Sequence, residues 1–313
     1  MAEYKKIEHN LLTIGGGIEL KLNEFIYKAE KQGKKIYIQS GLHGGETSQW
    51  VLYKLHKFLM QNLRAGEIHI VPYANPLGWL QRTYYSTFGK FSLLDGQDYN
   101  RCFTDTNKQD TNSILCKKIC ELASNSDFAL DLHTSKNSNP FAIYTNNSYI
   151  SYIKALGFKY NQYSDDASIP ALYGTFNACL DRHHVPNVTI ECGGHDEYCE
   201  YKINEVYNAI INLLGKLEVL TAKQANENDV FRFEKRNKIY AASAGLIKFE
   251  KEIGDIVEQG DVIARLYPSD DISCTEIILS KENGIIHVIN PSHIVWQGDI
   301  IAEIIPQQDL VLL

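Results

Sequence analysis

Strand-like and helix-like patterns alternate along the chain from residue 35 to about residue 220. Residues 35–40 form a short apolar run, and residues 47–63 place their valine and leucines on one face of a helix. Four more segments resemble strands, at 67–73, 128–132, 141–144 and 188–191. One more segment, 114–123, resembles a helix. Such alternation predicts an α/β fold with helices on both faces of a sheet. Ligands bind such sheets at the carboxyl ends of the strands.

After about residue 225, short strands and glycine turns replace the helices. The segment around Gly245 and Gly260 recurs around Gly284 and Gly298, which predicts a small pseudo-symmetric β domain. It resembles the barrel-sandwich fold of biotinyl and lipoyl carrier domains but has no carrier lysine tip between its halves. We therefore expect an α/β domain over 1–225 and a structural or substrate-gating barrel over 226–313.

Composition narrows the classes of partner. The 313 residues carry a formal net charge of -7 and no long basic run, which argues against a nucleic-acid partner. A small anionic substrate is compatible with this balance, because a few arginines in one cleft can outweigh the net charge. No apolar stretch is long enough to span a membrane, and the charged N-terminus does not resemble a signal peptide. A homo-oligomer is left open.

The seven cysteines include no C-x-x-C pair. We expect them to be reduced, in a cytoplasmic protein. Cys192 and Cys199 flank His195, and this trio is a less favoured candidate for binding metal.

His43 and Glu46 stand three residues apart in a glycine-rich turn after the first strand. Imidazole nitrogen and carboxylate oxygen are the ligands that zinc takes in hydrolases, with a third ligand from far along the chain. The alternative is that Glu46 only supports the start of the following helix.

His133 and Glu191 each close an apolar strand, at the sheet edge where ligands bind. His133 is the candidate third ligand, and Asp131, on the same face of the strand, suits an orienting carboxylate. Glu191 is placed to act as a general base. Alternatively, both are ordinary hydrogen-bonded residues at strand ends.

Arg82 and the segment Asp98-Tyr99-Asn100-Arg101 supply two arginines between these strands. An arginine can hold a carboxylate through two parallel hydrogen bonds. Solvated arginines are common, so the residues alone leave a surface role open.

The order of these segments resembles the zinc carboxypeptidase superfamily, and most closely its succinylglutamate desuccinylase and aspartoacylase branch. Members of that branch show a His-Gly-x-Glu start, an Asn-Pro segment, Asp-Leu-Asn-Arg, Asp-Leu-His and a strand-end Glu. The corresponding segments here are His43-Gly44-Gly45-Glu46, Asn75-Pro76, Asp98-Tyr99-Asn100-Arg101, Asp131-Leu132-His133 and Glu191. The resemblance covers nearly the whole chain, and it implies a zinc-carboxypeptidase-like mixed sheet with a C-terminal barrel-sandwich-like domain.

The resemblance also implies one zinc ion and hydrolysis of the amide bond of a small N-acyl amino acid, such as an N-acyl aspartate or glutamate. Zinc would be held by His43, Glu46 and His133. Glu191 would be the general base, and Asp98 would orient the first zinc histidine.

The substrate contacts follow in the same way. Asn100 and Arg101 match the pair that receives the substrate's carboxylate, and Arg82 is the candidate for polarising the scissile carbonyl. Arg182 stands near where aspartoacylase-like enzymes place an arginine for a distal carboxylate, although a surface position is an equal alternative. Tyr173 is a further substrate-binding candidate.

The stretch from Arg82 to Asn100 is longer than the family pattern, so residues 83–94 are interpreted as an insertion. Its four aromatic residues are Tyr84, Tyr85, Phe88 and Phe91. The insertion either lines the cleft or packs as a surface loop.

Two alternative functions remain. A metallocarboxypeptidase acting on short peptides would use the same zinc site and Arg101, although a domain added near the cleft disfavours long peptides. A non-catalytic binding protein is disfavoured because all of the catalytic and metal-binding residues are present.

Overall fold

The computed structural model describes residues 2–83, 86–104, 108–164, 170–221 and 229–313. Within these ranges the helices are α1 (Gln49–Asn62), α2 (Pro76–Leu80), α3 (Thr111–Ala123), α4 (Ile150–Leu156), α5 (Phe176–Arg182) and α6 (Glu200–Lys216). The strands are β1 (Glu3–Ile14), β2 (Ile18–Lys28), β3 (Lys35–Ser40), β4 (Glu67–Val71), β5 (Arg82–Thr83), β6 (Ser86–Thr87), β7 (Phe128–Ser135), β8 (Phe141–Tyr144), β9 (Tyr160–Tyr163), β10 (Asn187–Gly194), β11 (Phe231–Phe233), β12 (Asn237–Tyr240), β13 (Gly245–Phe249), β14 (Ile256–Val257), β15 (Val262–Pro268), β16 (Glu276–Leu279), β17 (Gly284–Ile289), β18 (Ile294–Val295), β19 (Ile300–Pro306) and β20 (Val311–Leu312).

One mixed sheet of ten strands forms the centre of the α/β part, in the order β1-β2-β4-β3-β7-β10-β8-β9-β11-β20. Its central strands β4, β3, β7 and β10 are parallel. Strand β2 runs antiparallel to both β1 and β4, and β8 runs antiparallel to β10 but parallel to β9. Because β3, β7 and β10 are parallel neighbours, the residues at their carboxyl ends meet at one edge of the sheet.

Alternate residues of the central strands pack on opposite faces of this sheet. Ile38 and Leu130 belong to the cluster that includes the apolar faces of α1, α4 and α6. Tyr37 and Ala129 belong to the cluster that includes α3 and α5. The expected α/β fold with helices on both faces is confirmed.

The C-terminal repeat forms two four-stranded sheets, β12-β19-β17-β14 and β16-β15-β13-β18, around an isoleucine- and valine-rich core. The two copies begin at equivalent glycines, Gly245 of β13 and Gly284 of β17. A Cβ atom at either position would collide with a carbonyl oxygen of the paired strand, that of Tyr267 or that of Ile305. Close strand pairing therefore explains why both copies keep glycine here.

The strands that flank this barrel belong to the large sheet. In β11, Phe231 pairs with Leu312 of β20, and β11 itself pairs with β9. The barrel, from β12 to β19, also contacts the α/β part directly, since Ile289 N donates to Asn137 O at 3.0 Å.

The N-terminal residues form a long hairpin, β1–β2, which extends the sheet beyond β4. The sequence did not predict it, because the side chains of β1 are mostly exposed or half-buried and give no continuous apolar run. No helix in the described part of the chain is both long enough and apolar enough to cross a membrane.

Cys120 of α3 and Cys179 of α5 are joined by a disulfide. This corrects the expectation that all seven cysteines are reduced. The pairing depends on α3 packing against α5, which a sequence separation of 59 residues does not reveal.

Candidate active site

The first two candidate ligands lie in the turn that follows β3. Gly41 and Gly45 have φ values of 68° and 83°, in the left-handed region that glycine adopts without strain. These two reversals carry His43 and Glu46 across the carboxyl end of the sheet, where both side chains are buried.

The turn is braced by the Asn-Pro segment and by the insertion. Asn75 Nδ2 donates to Leu42 O at 3.0 Å, and Gly44 N donates to Gly89 O at 2.8 Å. A Cβ atom on Gly44 would collide with Gly78 O, so three backbone segments meet here without side chains between them.

His43, Glu46 and His133 converge on one point. Glu46 Oε1 lies 2.9 Å from His43 Nδ1 and 3.0 Å from His133 Nδ1. His133 reaches this point because β7 pairs directly with β3. The three candidate ligand atoms lie within 4.8 Å of one another, and they form the single such group of histidine, cysteine and carboxylate side chains among the described residues.

An aspartate holds the far side of each imidazole. Asp98 Oδ1 lies 2.9 Å from His43 Nε2, and Asp131 Oδ2 lies 2.7 Å from His133 Nε2. A neutral imidazole in such a contact carries its proton on Nε2, so its Nδ1 lone pair faces Glu46. Asp98 thus contacts His43, the histidine that it is predicted to orient, and its role stays a prediction.

Mutual attraction dominates the electrostatics of this cluster. Burial disfavours a charge on His43, but Glu46 and Asp98 outweigh this and raise the pKa of His43. Burial alone would raise the pKa of Glu46, but His133 and His43 outweigh it and lower that pKa. The histidines and Glu46 therefore stabilise each other's charged forms.

The donor set fits a divalent cation. Glu46 Oε2 is buried and has no hydrogen-bond partner among the described residues. An unpartnered carboxylate oxygen beside two Nδ1 atoms supplies the nitrogen and oxygen ligands that zinc takes in hydrolases. His43, Glu46 and His133 would hold the ion, and the two aspartates would orient the imidazoles.

Glu191 lies beside this cluster on the adjacent strand, since the register of β10 sets it opposite His133 of β7. Its Oε2 is buried and has no hydrogen-bond partner among the described residues. Burial raises the pKa of Glu191, Glu46 acts in the same direction and His133 opposes them. A carboxylate of this kind exchanges protons closer to neutral pH than an ordinary one.

Asn100 and Arg101 follow Asp98 in a 3-10 turn. Asp98 Oδ1 accepts from Asn100 N at 2.8 Å, so the same oxygen that contacts His43 anchors this turn. The side chain of Arg101 is exposed, and its Nη1 donates to Asn100 O at 2.7 Å. The fold therefore brings the turn that bears this pair next to His43, Glu46 and His133, which form the candidate metal-binding cluster.

Arg82 lies in β5 of the short hairpin β5–β6 and is exposed. Its main chain pairs with Thr87, and its side chain makes no hydrogen bond or ion pair with another described residue. In the same insertion, Tyr84 and Tyr85 lie outside the described residues, whereas Phe88 and Phe91 are exposed. No described contact joins Arg82 to the metal-binding cluster.

The insertion instead brings Lys90 to the site. Lys90 Nζ lies 3.9 Å from Asp98 Oδ2. Burial would raise the pKa of Asp98, but His43 and Lys90 outweigh it and lower that pKa. Sequence reasoning missed Lys90, because only the contact with Asp98 distinguishes it from other surface lysines.

The C-terminal domain contributes a second cation. Arg236 Nη1 lies 3.0 Å from Glu303 Oε2, and its guanidinium lies 5.7 Å from the ring centre of Phe141. Its positive charge opposes the burial that raises the pKa of Glu191. No sequence signal indicated Arg236, since it lies 45 residues after Glu191 in another domain.

Arg182, at the end of α5, is held by main-chain oxygens. Its Nη1 donates to Tyr173 O at 2.9 Å and its Nη2 donates to Phe103 O at 2.7 Å. The guanidinium also lies 4.3 Å from the ring centre of Tyr173. These contacts fasten α5 to two preceding segments, and no described contact joins Arg182 to the metal-binding cluster.

His195 also lies near the site. Its Nδ1 lies 3.3 Å from Thr134 Oγ1, and a Cβ atom on Gly45 would lie 2.7 Å from its Nε2. Burial lowers the pKa of His195 and so favours a neutral ring. The trio of His195, Cys192 and Cys199 does not form a metal-binding group among the described residues.

Residues 32–217 match the family model of the succinylglutamate desuccinylase/aspartoacylase catalytic domain. No curated protein matches the sequence. A family protein of this type from Shewanella amazonensis SB2B superposes with a TM-score of 0.86 at 20% identity, over 99% of this chain and 100% of that one.

Two further solved structures share the fold. A family protein from Shewanella frigidimarina NCIMB 400 has a TM-score of 0.87 and 18% identity, over 100% of this chain and 99% of the other. The product-bound ectoine utilization protein of Ruegeria pomeroyi has a TM-score of 0.81 and 16% identity, over 98% and 95%.

Proposed function

Because the chain belongs to the succinylglutamate desuccinylase/aspartoacylase family, we propose that it is a zinc-dependent hydrolase of small N-acyl amino acids. The reaction would release a carboxylic acid and a free amine. The observation that carries the proposal is the convergence of His43, Glu46 and His133 on one point, with Glu191 on the adjacent strand.

A bound zinc ion would polarise the scissile carbonyl and make a water molecule easier to deprotonate. Glu191 would take the proton from that water and deliver it to the nitrogen of the leaving amine. Its unpartnered Oε2 and its raised pKa support this role, because the carboxylate must both accept and release the proton.

Other side chains would hold the substrate. We assign Asn100 and Arg101 to the substrate carboxylate, since the turn that bears them is anchored on Asp98 beside the metal-binding cluster. Arg82 would polarise the scissile carbonyl. Arg182 would bind a distal carboxylate through N–H groups other than the two that donate to main-chain oxygens.

The test is amine release by the zinc-loaded protein from a panel of N-acyl amino acids and dipeptides. Glu191→Gln removes the proposed base, and Glu121→Gln, at an exposed position of α3, is the matched control. We expect cleavage of N-acyl amino acids by the native protein and the control, and loss of cleavage with retained zinc in Glu191→Gln.

Cleavage of dipeptides alone would replace the deacylase assignment with a metallocarboxypeptidase that uses the same site. A zinc-loaded protein that cleaves no member of the panel would contradict the proposal. Full activity in Glu191→Gln would remove Glu191 from its assigned role.

A further inference from the structure

A cavity of about 260 Å³ lies between the α/β part and the barrel. Its lining comes from the loop before β8, from the start of β9, from α6, from the turn before β14 and from β17. The residues used below are Lys159, Glu205, Ile253, Ile285, Ile286 and His287. None of them belongs to the candidate metal-binding cluster or to the residues assigned to substrate binding.

His287 faces this cavity from β17 and is 4% exposed. Its Nε2 is buried without a hydrogen-bond partner, and its ring packs 4.5 Å and 5.0 Å from the ring centres of Phe141 and Phe233. Burial lowers the pKa of His287 to about 3, so the ring is neutral and offers an acceptor nitrogen. A buried polar atom of this kind normally has a partner.

Glu205 and Lys159 line the same cavity with opposite charges. The side chain of Glu205 is half-buried and makes no hydrogen bond or ion pair with any described residue. Burial raises its pKa to about 6, with the charge of Lys202 opposing the shift. Lys159 Nζ lies 5.3 Å from the ring centre of Tyr160 and is likewise in no ion pair among the described residues.

We propose that this cavity binds a small zwitterion of amino-acid size, which carries an ammonium and a carboxylate on an apolar body. The ammonium pairs with Glu205, and the neutral ring of His287 adds no opposing charge to the lining. The carboxylate pairs with Lys159, and the apolar body packs on Ile253, Ile285 and Ile286.

The lining favours this class over simpler ligands. A purely apolar molecule would remove water from Glu205 and Lys159 without pairing either charge, which is costly. A simple anion would leave Glu205 unpaired, and a simple cation would leave Lys159 unpaired. One molecule with both charges satisfies the two residues together, and three isoleucine side chains match an apolar body.

The experiment measures binding of L-leucine and 6-aminohexanoate to the zinc-loaded protein by ligand-observed NMR. Isoamylamine and isovalerate, each with one of the two charges, are the matched ligands. Glu205→Gln and Lys159→Met each remove one charge of the cavity, and Arg101→Met is the matched variant in the proposed active site.

At least one zwitterion should bind, and each cavity variant should weaken its binding about tenfold or more, as expected when a hydrogen-bonded charge is removed. The single-charge ligands should bind at least about tenfold more weakly than the zwitterion. Arg101→Met should leave the dissociation constant unchanged. Circular dichroism would verify that the variants are folded, and Glu205→Asp, which keeps the charge, should bind better than Glu205→Gln.

Three outcomes would overturn the inference: no zwitterion binds, the single-charge ligands bind equally well, or binding is lost in Arg101→Met while the cavity variants keep it. The last outcome would place the ligand in the proposed active site. Because the readout is binding rather than amine release, failure here is distinguishable from failure of the proposed hydrolase activity.

Discussion

Replacing Asp131 with asparagine tests whether the aspartates control the metal-binding nitrogen atoms. Asp131 accepts on both oxygens, from Gln39 Nε2 at 2.9 Å and from His133 Nε2 at 2.7 Å. The substituted amide has one acceptor oxygen, so its NH2 group must face one of these donors. If it faces His133, the imidazole must move its proton to Nδ1, the atom that would bind zinc.

If the NH2 group faces Gln39 instead, it meets the Nε2 of Gln39, which is also a donor. The Gln39 side chain would then have to flip, but its Oε1 already accepts from Tyr37 Oη at 3.1 Å, and both residues are fully buried. Either arrangement loses one hydrogen bond of the network. A hydrogen bond to a charged group contributes about 1.5–3 kcal/mol. We therefore expect the zinc dissociation constant of Asp131→Asn to rise about 10–100-fold.

Competition with a chromophoric chelator would measure this dissociation constant. The matched control is Asp127→Asn, because Asp127 Oδ2 accepts from Lys35 N near the opposite end of β7. Gln39→Leu combined with Asp131→Asn frees the amide to turn its oxygen to His133, so the double variant should bind zinc more tightly than Asp131→Asn alone. Equal zinc affinity in Asp131→Asn, Asp127→Asn and the native protein would refute this reasoning.

Three further measurements test other parts of the molecule. In steady-state assays on a cleaved substrate, Glu191→Gln should lower kcat by about 10²–10⁴-fold with unchanged zinc content, because only proton transfer is lost; a kcat near the native value would contradict this. Arg236→Gln should raise KM for an anionic substrate more than for its neutral amide, since Arg236 places a positive charge near Glu191; equal effects would count against it. The folded-state pKa of His287, about 3, lies below the ordinary histidine value of about 6.5, so the unfolded chain binds the proton first and stability falls as the pH drops below about 6.5. Urea titrations should show a loss of about 2 kcal/mol between pH 7 and pH 5 that is absent in His287→Phe, and parallel curves for the two proteins would exclude it.

The central strands, and the residues of the candidate metal-binding cluster, could be identified from the sequence because their signals are local, whereas metal binding itself stays a prediction. The strand predicted at 35–40 is β3, and those predicted at 128–132 and 188–191 lie within β7 and β10. His43, His133 and Glu191 each follow or end one of these strands. Parallel pairing of neighbouring strands then brings their side chains to one edge of the sheet.

The remaining parts of the site depend on contacts between distant segments. Lys90 and Arg236 approach the site through the insertion and the barrel, and their local sequence is that of ordinary charged surface. The disulfide between Cys120 and Cys179 depends in the same way on the packing of two helices. The residues at 3–28 were not predicted because β1 is largely exposed and lacks the apolar run that marks a buried strand.

The attachment of the barrel has an evolutionary consequence. Phe231 pairs with Leu312 and Arg232 pairs with Val311, so the chain leaves the large sheet and re-enters it at neighbouring positions. A module joined at two adjacent points can be lost or exchanged as a unit without changing the order of the strands that carry the candidate metal ligands. We therefore expect relatives to keep the candidate active site while carrying a different module at this position, and with it to select different substrates.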